Sequence, residues 1–223
     1  MRADTERLPP VAASSPGLVR LPAGLSLAGH MPGSTFASQR YRLLVCCGTA
    51  PSVEFWHAVD LVSGREVGLT IVGAAGHGSV VDRVDTDDVF ARTVWMCGVR
   101  SPAMTRILDM VDTDSGGAVV SEWLPSRSLG EVASTRPSRA AASQSIRPLV
   151  NTMRRAHEMD SILDLENPGR LRIGERGDVY LAFPGTLPGA DRAADVRGLG
   201  AALRGLVTGG VGLTPVSATA SAW

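Results

Sequence analysis

The side chains that could do chemistry in this chain are few, and one type is missing. All 22 basic residues are arginine; there is no lysine. A guanidinium can clamp phosphate or carboxylate, but it stays protonated and cannot act as a general base or a Schiff-base amine. Cys46, Cys47 and Cys97 show no C-x-x-C or Cys/His spacing. They read as small buried apolar residues of a reducing compartment. Asp82, Asp85, Asp87 and Asp88 form an acidic cluster. It lacks the glycine and the spaced ligands of a calcium loop, so it reads as a solvated helix start. Gly73–Gly78, GAAGHG, lacks the G-x-G-x-x-G order and the following Lys-Ser/Thr of a phosphate loop, so it reads as a flexible connection. His157 lies on a helical pattern and reads as a packed structural histidine.

Composition narrows the class. The chain has 223 residues, 44% of them apolar, enough for one domain with a sizeable core. Aromatics are only 4%, so Leu, Val and Ala must fill that core. Formal net charge is zero, which argues against a general nucleic-acid binder. No apolar run is long enough to span a membrane, and the N-terminus lacks a signal-peptide pattern.

The elements that must position these groups can be placed by periodicity. Residues 1–39 are rich in Pro, Ser, Ala and Gly and read as a disordered linker. Strands are expected at Tyr41–Val45, Glu54–Asp60 and Glu66–Ile71. In the last, Val67, Leu69 and Ile71 share one face, Gly68 and Thr70 the other. A helix is expected over Asp82–Val99, then strands at Ile107–Val111 and Ala118–Trp123 around a Thr-Asp-Ser-Gly-Gly turn. Ser143–Met159 is amphipathic, with Ile146, Leu149, Val150, Met153 and Ala156 on one stripe. Two short strands, Leu171–Ile173 and Val179–Ala182, precede an apolar helix over Asp195–Thr208 with Val196, Leu199, Leu203 and Leu206. Strands first and helices second give an α+β chain with two lobes.

Several segments together resemble a bacterial Ser/Thr protein kinase. Tyr41–Asp60, YRLLVCCGTAPSVEFWHAVD, is similar to the strand, Gly-rich loop and strand that open that fold, with Gly48 at the first glycine. Ala50 and Val53 stand where the second and third glycines would be. Glu66–Ile71 resembles the strand V-A-I-K, with Thr70 at the phosphate-binding lysine. Counting back from Pro102, Arg92 falls at the glutamate that pairs with that lysine. Val119–Leu124 resembles the hinge strand, and Ser128-Leu129 the start of the next helix. Ala156–Ile173 is similar to the catalytic loop A-H-x-x-G-I-V-H-R-D-L-K-P-E-N-V-L-L. His157 and Pro168 match it. Leu163 replaces the loop histidine, Leu165 the catalytic aspartate, Asn167 the lysine and Arg170 the metal-binding asparagine. Val179–Gly185 resembles the strand and D-F-G, with Phe183 for the aspartate and Gly185 retained. Ala194–Gly209 resembles helix F, whose buried aspartate, here Asp195, holds the catalytic-loop backbone. A one-residue slip would bring Asp164 to the base position, at the expense of the His157 and Pro168 matches.

The resemblance implies a two-lobed protein-kinase-like fold over 40–210, with an N-lobe at 40–122, a partial C-lobe at 123–210 and a flexible tail at 211–223. It implies no catalysis and no cofactor. The order R-Y-R-L-L-x-C-x-G…F-W-x-A-x-D and the degenerate loop look most like the cytoplasmic pseudokinase domain of mycobacterial MviN/MurJ-type lipid II flippases. That resemblance implies a threonine-phosphorylated scaffold in peptidoglycan synthesis, with an FHA-domain protein and a Ser/Thr kinase as partners and no nucleic acid. It places the domain in the cytoplasm, at the inner membrane face where it is joined to the flippase. Candidate phosphothreonines are Thr186, Thr208, Thr214 and Thr219. The alternatives are a residual nucleotide binder or weak kinase, and a truncated remnant whose shortened C-lobe exposes apolar surface.

Overall fold

A computed structural model describes residues 29–73, 85–114 and 116–210. The Gly73–Gly78 connection beyond its first residue, Asp82, Thr214 and Thr219 lie outside the described residues. The described chain is mixed α and β. A six-stranded antiparallel sheet comes first: β1 (Thr35–Phe36), β2 (Tyr41–Ala50), β3 (Val53–Asp60), β4 (Glu66–Val72), β5 (Ile107–Thr113) and β6 (Gly116–Glu122). Its strand order is β1-β2-β3-β4-β6-β5. Between β4 and β5 lies helix α1 (Thr86–Thr93), running into a 3-10 turn at Val94–Gly98. The helical part follows, with α2 (Leu129–Ser134), α3 (Arg139–Glu158) and α4 (Arg192–Thr208). A small sheet of β7 (Ser126–Ser128), β8 (Leu171–Gly174) and β9 (Val179–Leu181) sits among them.

Several sequence expectations need correction. The folded part does not wait until Arg40. Phe36 pairs with Tyr41 in the ladder, and His30 binds Glu54 through its ring and its backbone N–H. The segment that looked like a Gly-rich loop is a tight hairpin, because Pro51 and Ser52 (φ 59°) turn the chain at once and Ala50 pairs with Val53. The long helix over Asp82–Val99 is a two-turn helix capped by the Asp85 carboxylate. Of the cysteines, Cys46 and Cys47 are half-buried, but Cys97 is exposed at the end of the 3-10 turn.

Two cores follow from strand alternation. Val67, Leu69 and Ile71 face a strand-built core with Tyr41, Leu43, Trp56 and Val120. The opposite face of the sheet, through Val53 and Phe55, joins a second core with Ile146, Leu149, Met153, Leu171, Val179, Phe183 and Leu206. β4 is therefore buried on both faces, so period-2 patterning alone could not assign its inner side. α3 begins at Arg139, four residues before the expected start at Ser143, behind the Ser138 cap, because Ala140–Ala142 carry almost no periodic signal. α4 likewise starts at its Asp191 cap, whose carboxylate accepts from Ala194 N at 2.6 Å.

The expected apolar surface on α4 is not found among its described residues. Leu206 is buried, and Leu199 and Leu203 pack on the second core; only Val196 stands out, at 56% exposure. The outer face carries Arg197, Gly200, Ala201 and Arg204 instead, beside Glu166. Among the described residues no helix is long and apolar enough to cross a membrane.

α4 sits close to the preceding loop because Gly198 has no side chain. A Cβ there would overlap the Leu165 carbonyl and lie 2.7 Å from Glu166 N. Gly198→Ala gains about 1 kcal/mol of helix propensity, but overpacking against rigid backbone outweighs it. The expected net loss is about 2 kcal/mol, read as a lower urea midpoint with an unchanged slope.

Candidate functional site

The residues at which the resemblance placed kinase chemistry come together, with one exception, in the seam between the six-stranded sheet and the helical part. The chain reaches this seam because β9 runs straight into Phe183–Gly185, while the 3-10 turn Pro168–Arg170 leads into β8. Asn167 caps that turn: its Oδ1 accepts from Gly169 N at 2.8 Å. Its Nδ2 donates to Thr49 O at 3.0 Å, tying the β2–β3 hairpin down. Gly48 and Gly169 meet face to face; a Cβ on Gly48 would lie 3.2 Å from Gly169 Cα. The hairpin thus rests directly on the turn.

Arg170 is the centre of the seam. Its side chain is 1% exposed. Nε donates to Phe183 O at 3.0 Å, and Nη1 lies 2.8 Å from Asp164 Oδ2. Nη1 also donates to Asp164 O, and Nη2 to Gly185 O. One guanidinium therefore holds three separate backbone carbonyls and a carboxylate. Burial pulls its pKa below the usual arginine range, and the Asp164 and Asp195 carboxylates act against that. A buried cation is tolerated only when paired and fully hydrogen-bonded in this way.

Asp164 answers that cation. It adopts a left-handed backbone, φ 60°, which few side chains accept. Its Oδ2 also accepts from Leu187 N at 3.1 Å. The carboxylate is committed to Arg170 and to backbone, so this geometry gives it a locking role.

The other positions singled out by the resemblance are packed. Phe183 is fully buried, with its ring 5.6 Å from Phe55 and 6.1 Å from Trp123. Thr70 Oγ1 donates to Pro184 O at 2.9 Å. Its methyl faces Gly185, where φ is 145° and an added Cβ would lie 3.3 Å away. Leu163 and Leu165 have no exposed surface. Arg92 is the exception: it lies on the exposed side of α1, paired with Asp88 at 2.8 Å, and does not approach Thr70.

Asp195 holds the loop from the helical side. It is wholly buried. Its Oδ2 accepts from Leu163 N and its Oδ1 from Leu165 N, each at 3.0 Å. His157 Nε2 lies 2.8 Å from Asp195 Oδ2, so His157 is a structural partner of this carboxylate. Pro168 opens the 3-10 turn at a position where its missing N–H costs nothing.

Thr186 is not an accessible hydroxyl. It is 4% exposed, its N–H donates to Thr93 Oγ1 at 2.9 Å, and its own Oγ1 donates to Ile162 O at 2.9 Å. Phosphorylation would remove the Oγ1–H that binds Ile162 O and place a dianion in a buried site. Thr208 is exposed at the end of α4, with its hydroxyl on Arg204 O. Sequence reasoning missed the roles of Arg170, Asp164 and Asn167. The first two are six residues apart and meet only because Asp164 takes a left-handed turn, for which the sequence L-D-L-E-N carries no glycine signal. No protein-family model matches the chain.

Removing one member of the buried pair should cost more than removing both. Arg170→Met leaves the Asp164 carboxylate buried with only the Leu187 amide to answer it and removes the guanidinium donor from three carbonyls, and the expected loss is about 3–5 kcal/mol. Asp164→Asn combined with Arg170→Met should be less destabilised than the sum of the single changes, measured as a double-mutant cycle in urea. Asp195→Ala removes the acceptor for two buried amides. Its expected loss is about 3 kcal/mol or more, with increased proteolysis at 160–168.

Proposed function

We propose that this chain is a kinase-shaped domain that transfers no phosphate and works by binding other proteins. The carrying observation is the buried Arg170 fork. At the position where the resemblance expects a metal-binding asparagine, a permanent cation already holds Asp164, Phe183 and Gly185. Phe183, at the position of the second metal ligand, is packed between Phe55 and Trp123. Thr70, at the lysine position, spends its hydroxyl on a backbone carbonyl. The Gly48 hairpin lies on Gly169, where a Gly-rich loop would leave room for phosphate. The order of an antiparallel sheet followed by a helical part, with the chain crossing between them near Trp123–Ser126, supports the same reading.

The narrower proposal is a phospho-dependent scaffold in peptidoglycan synthesis, read by an FHA-domain protein after modification by a Ser/Thr kinase. Its support is the sequence resemblance over Arg40–Asp60 and the exposed hydroxyl of Thr208. Buried Thr186 is removed from the candidates, and Thr208, Thr214 and Thr219 remain.

Two measurements test these readings. A ligand that binds only the folded form raises its stability in proportion to RT ln(1 + [L]/Kd). The thermal midpoint should stay unchanged by millimolar Mg-ATP; a rise of several degrees would return the chain to the nucleotide binders. After incubation with a bacterial Ser/Thr kinase and ATP, the chain should be retained by an immobilised FHA domain, and a Thr208/Thr214/Thr219→Ala triple variant should not. Equal retention of the triple variant, or no phosphate uptake, would remove the scaffold reading.

A further inference from the structure

The outer mouth of the seam carries a second arrangement that the buried Arg170 site does not use. His57 on β3 stacks on Trp123, which follows β6, with ring centroids 4.0 Å apart and planes 10° from parallel. The Arg172 guanidinium, from β8, lies over the same indole at 5.0 Å. Arg172 is fixed from below: Nε donates to Ser126 Oγ at 2.8 Å and Nη2 to Ser126 O at 3.0 Å. Trp123 in turn leans on buried Phe183. Three residues from three separate stretches of chain thus bridge the six-stranded sheet and the small sheet at one point.

We infer that His57, Trp123 and Arg172 form an acid-sensitive latch, closed while His57 is neutral and opened when His57 takes up a proton. A neutral imidazole stacks on indole beside a fixed guanidinium without penalty. An imidazolium there would be partly buried and would share the Trp123 ring with Arg172, a like charge. Two neighbours favour the proton: the Trp123 face, which attracts a stacked cation, and Glu66 Oε2, on β4, which lies 3.3 Å from His57 Nε2 but is well exposed, so water screens it. The other ionisable neighbours lie around Arg172. Cys47 on β2 has its Sγ 3.9 Å from Nη1, and Glu131 on α2 and Tyr180 on β9 interact with its charge. Burial first, with Arg172 adding to it, holds His57 below the ordinary histidine range despite Glu66.

The sign follows from linkage. The closed form binds its proton less readily than a free histidine does. The latch is therefore complete above the ordinary histidine pKa of about 6.5. Closed-state stability is lost as pH falls from there through the depressed value, and levels off below it. The latch holds whether or not the chain binds nucleotide, so its test is independent of the functional proposal.

The test is hydrogen exchange by mass spectrometry on the full chain between about pH 7.5 and 5, corrected for intrinsic exchange. Protection of residues 122–128 and 171–174 should fall severalfold on acidification in the wild type. His57→Phe keeps a stacking ring without a titrating nitrogen, and its protection should stay level. Arg172→Gln should move the midpoint of the fall to higher pH, because a like charge is removed. Glu66→Gln should move it lower, because the one attractive charge is removed. A level wild-type profile, an unchanged fall in His57→Phe, or midpoints unmoved in both charge variants would overturn the latch.

Discussion

A guanidinium taken out of water must be answered on every side, and that requirement organises the middle of this molecule. Arg170 reaches three carbonyls and one carboxylate, and so ties the loop that carries Asp164 to the Phe183–Gly185 segment. Asp164 takes a left-handed backbone to present its carboxylate. Gly185 sits at φ 145°, a conformation glycine accepts without strain, to present its carbonyl. Phe183 follows because the carbonyl bound by Arg170 Nε fixes its Cα, and its ring then meets Phe55. Isolated buried ion pairs contribute little net stability, since desolvation offsets their attraction. What such a pair does well is specify: any other packing of these segments would strand a charge.

The same loop is gripped from the opposite side by a second buried carboxylate. Asp195 binds the amides of Leu163 and Leu165, while Arg170 binds the carbonyl and side chain of Asp164 between them. Three consecutive residues are thus held from the helix on one side and from the 3-10 turn on the other. Gly198 lets α4 come near enough for Asp195 to reach. In the proposed reading, the residues that hold the loop's shape are kept, and those at the reactive positions are apolar or structural. Leu163 and Leu165 fill space; Arg170 supplies a positive charge that needs no ligand from solution.

Much of the scaffold was legible in advance. β3 and β4 lie within a residue of their expected bounds, and α3 carries its buried stripe at Ile146, Leu149, Met153 and Ala156 as spaced. Misses fall where the signal is weak or absent. β1 has two residues and exists through its pairing with β2. β7 reads S-R-S and is a strand because β8 lies beside it. Ala140–Ala142 extend α3 through a cap rather than through a stripe. Thr186 was a phosphothreonine candidate, and its surrounding P-G-T-L-P-G sequence carries no apolar period to mark it as buried. Its burial comes from Thr93 and Ile162, 93 and 24 residues away.

The sequence by itself determined that the chain carries no lysine and where most of its longer elements lie. The absence of lysine is a matter of composition, and strand or helix periodicity is written in neighbours a few residues apart. Tertiary structure decided what Arg170, Asp164, Phe183 and Thr70 do. Arg170 in isolation is one of 22 arginines. It becomes a buried fork only because β9 brings Phe183 and Gly185 to it, and because Asp195 on α4 orders the loop that carries Asp164. Those contacts span 6 to 32 residues of chain. No local pattern encodes them, since their energy depends on desolvation, and burial exists only once the sheet, loop and helix have met.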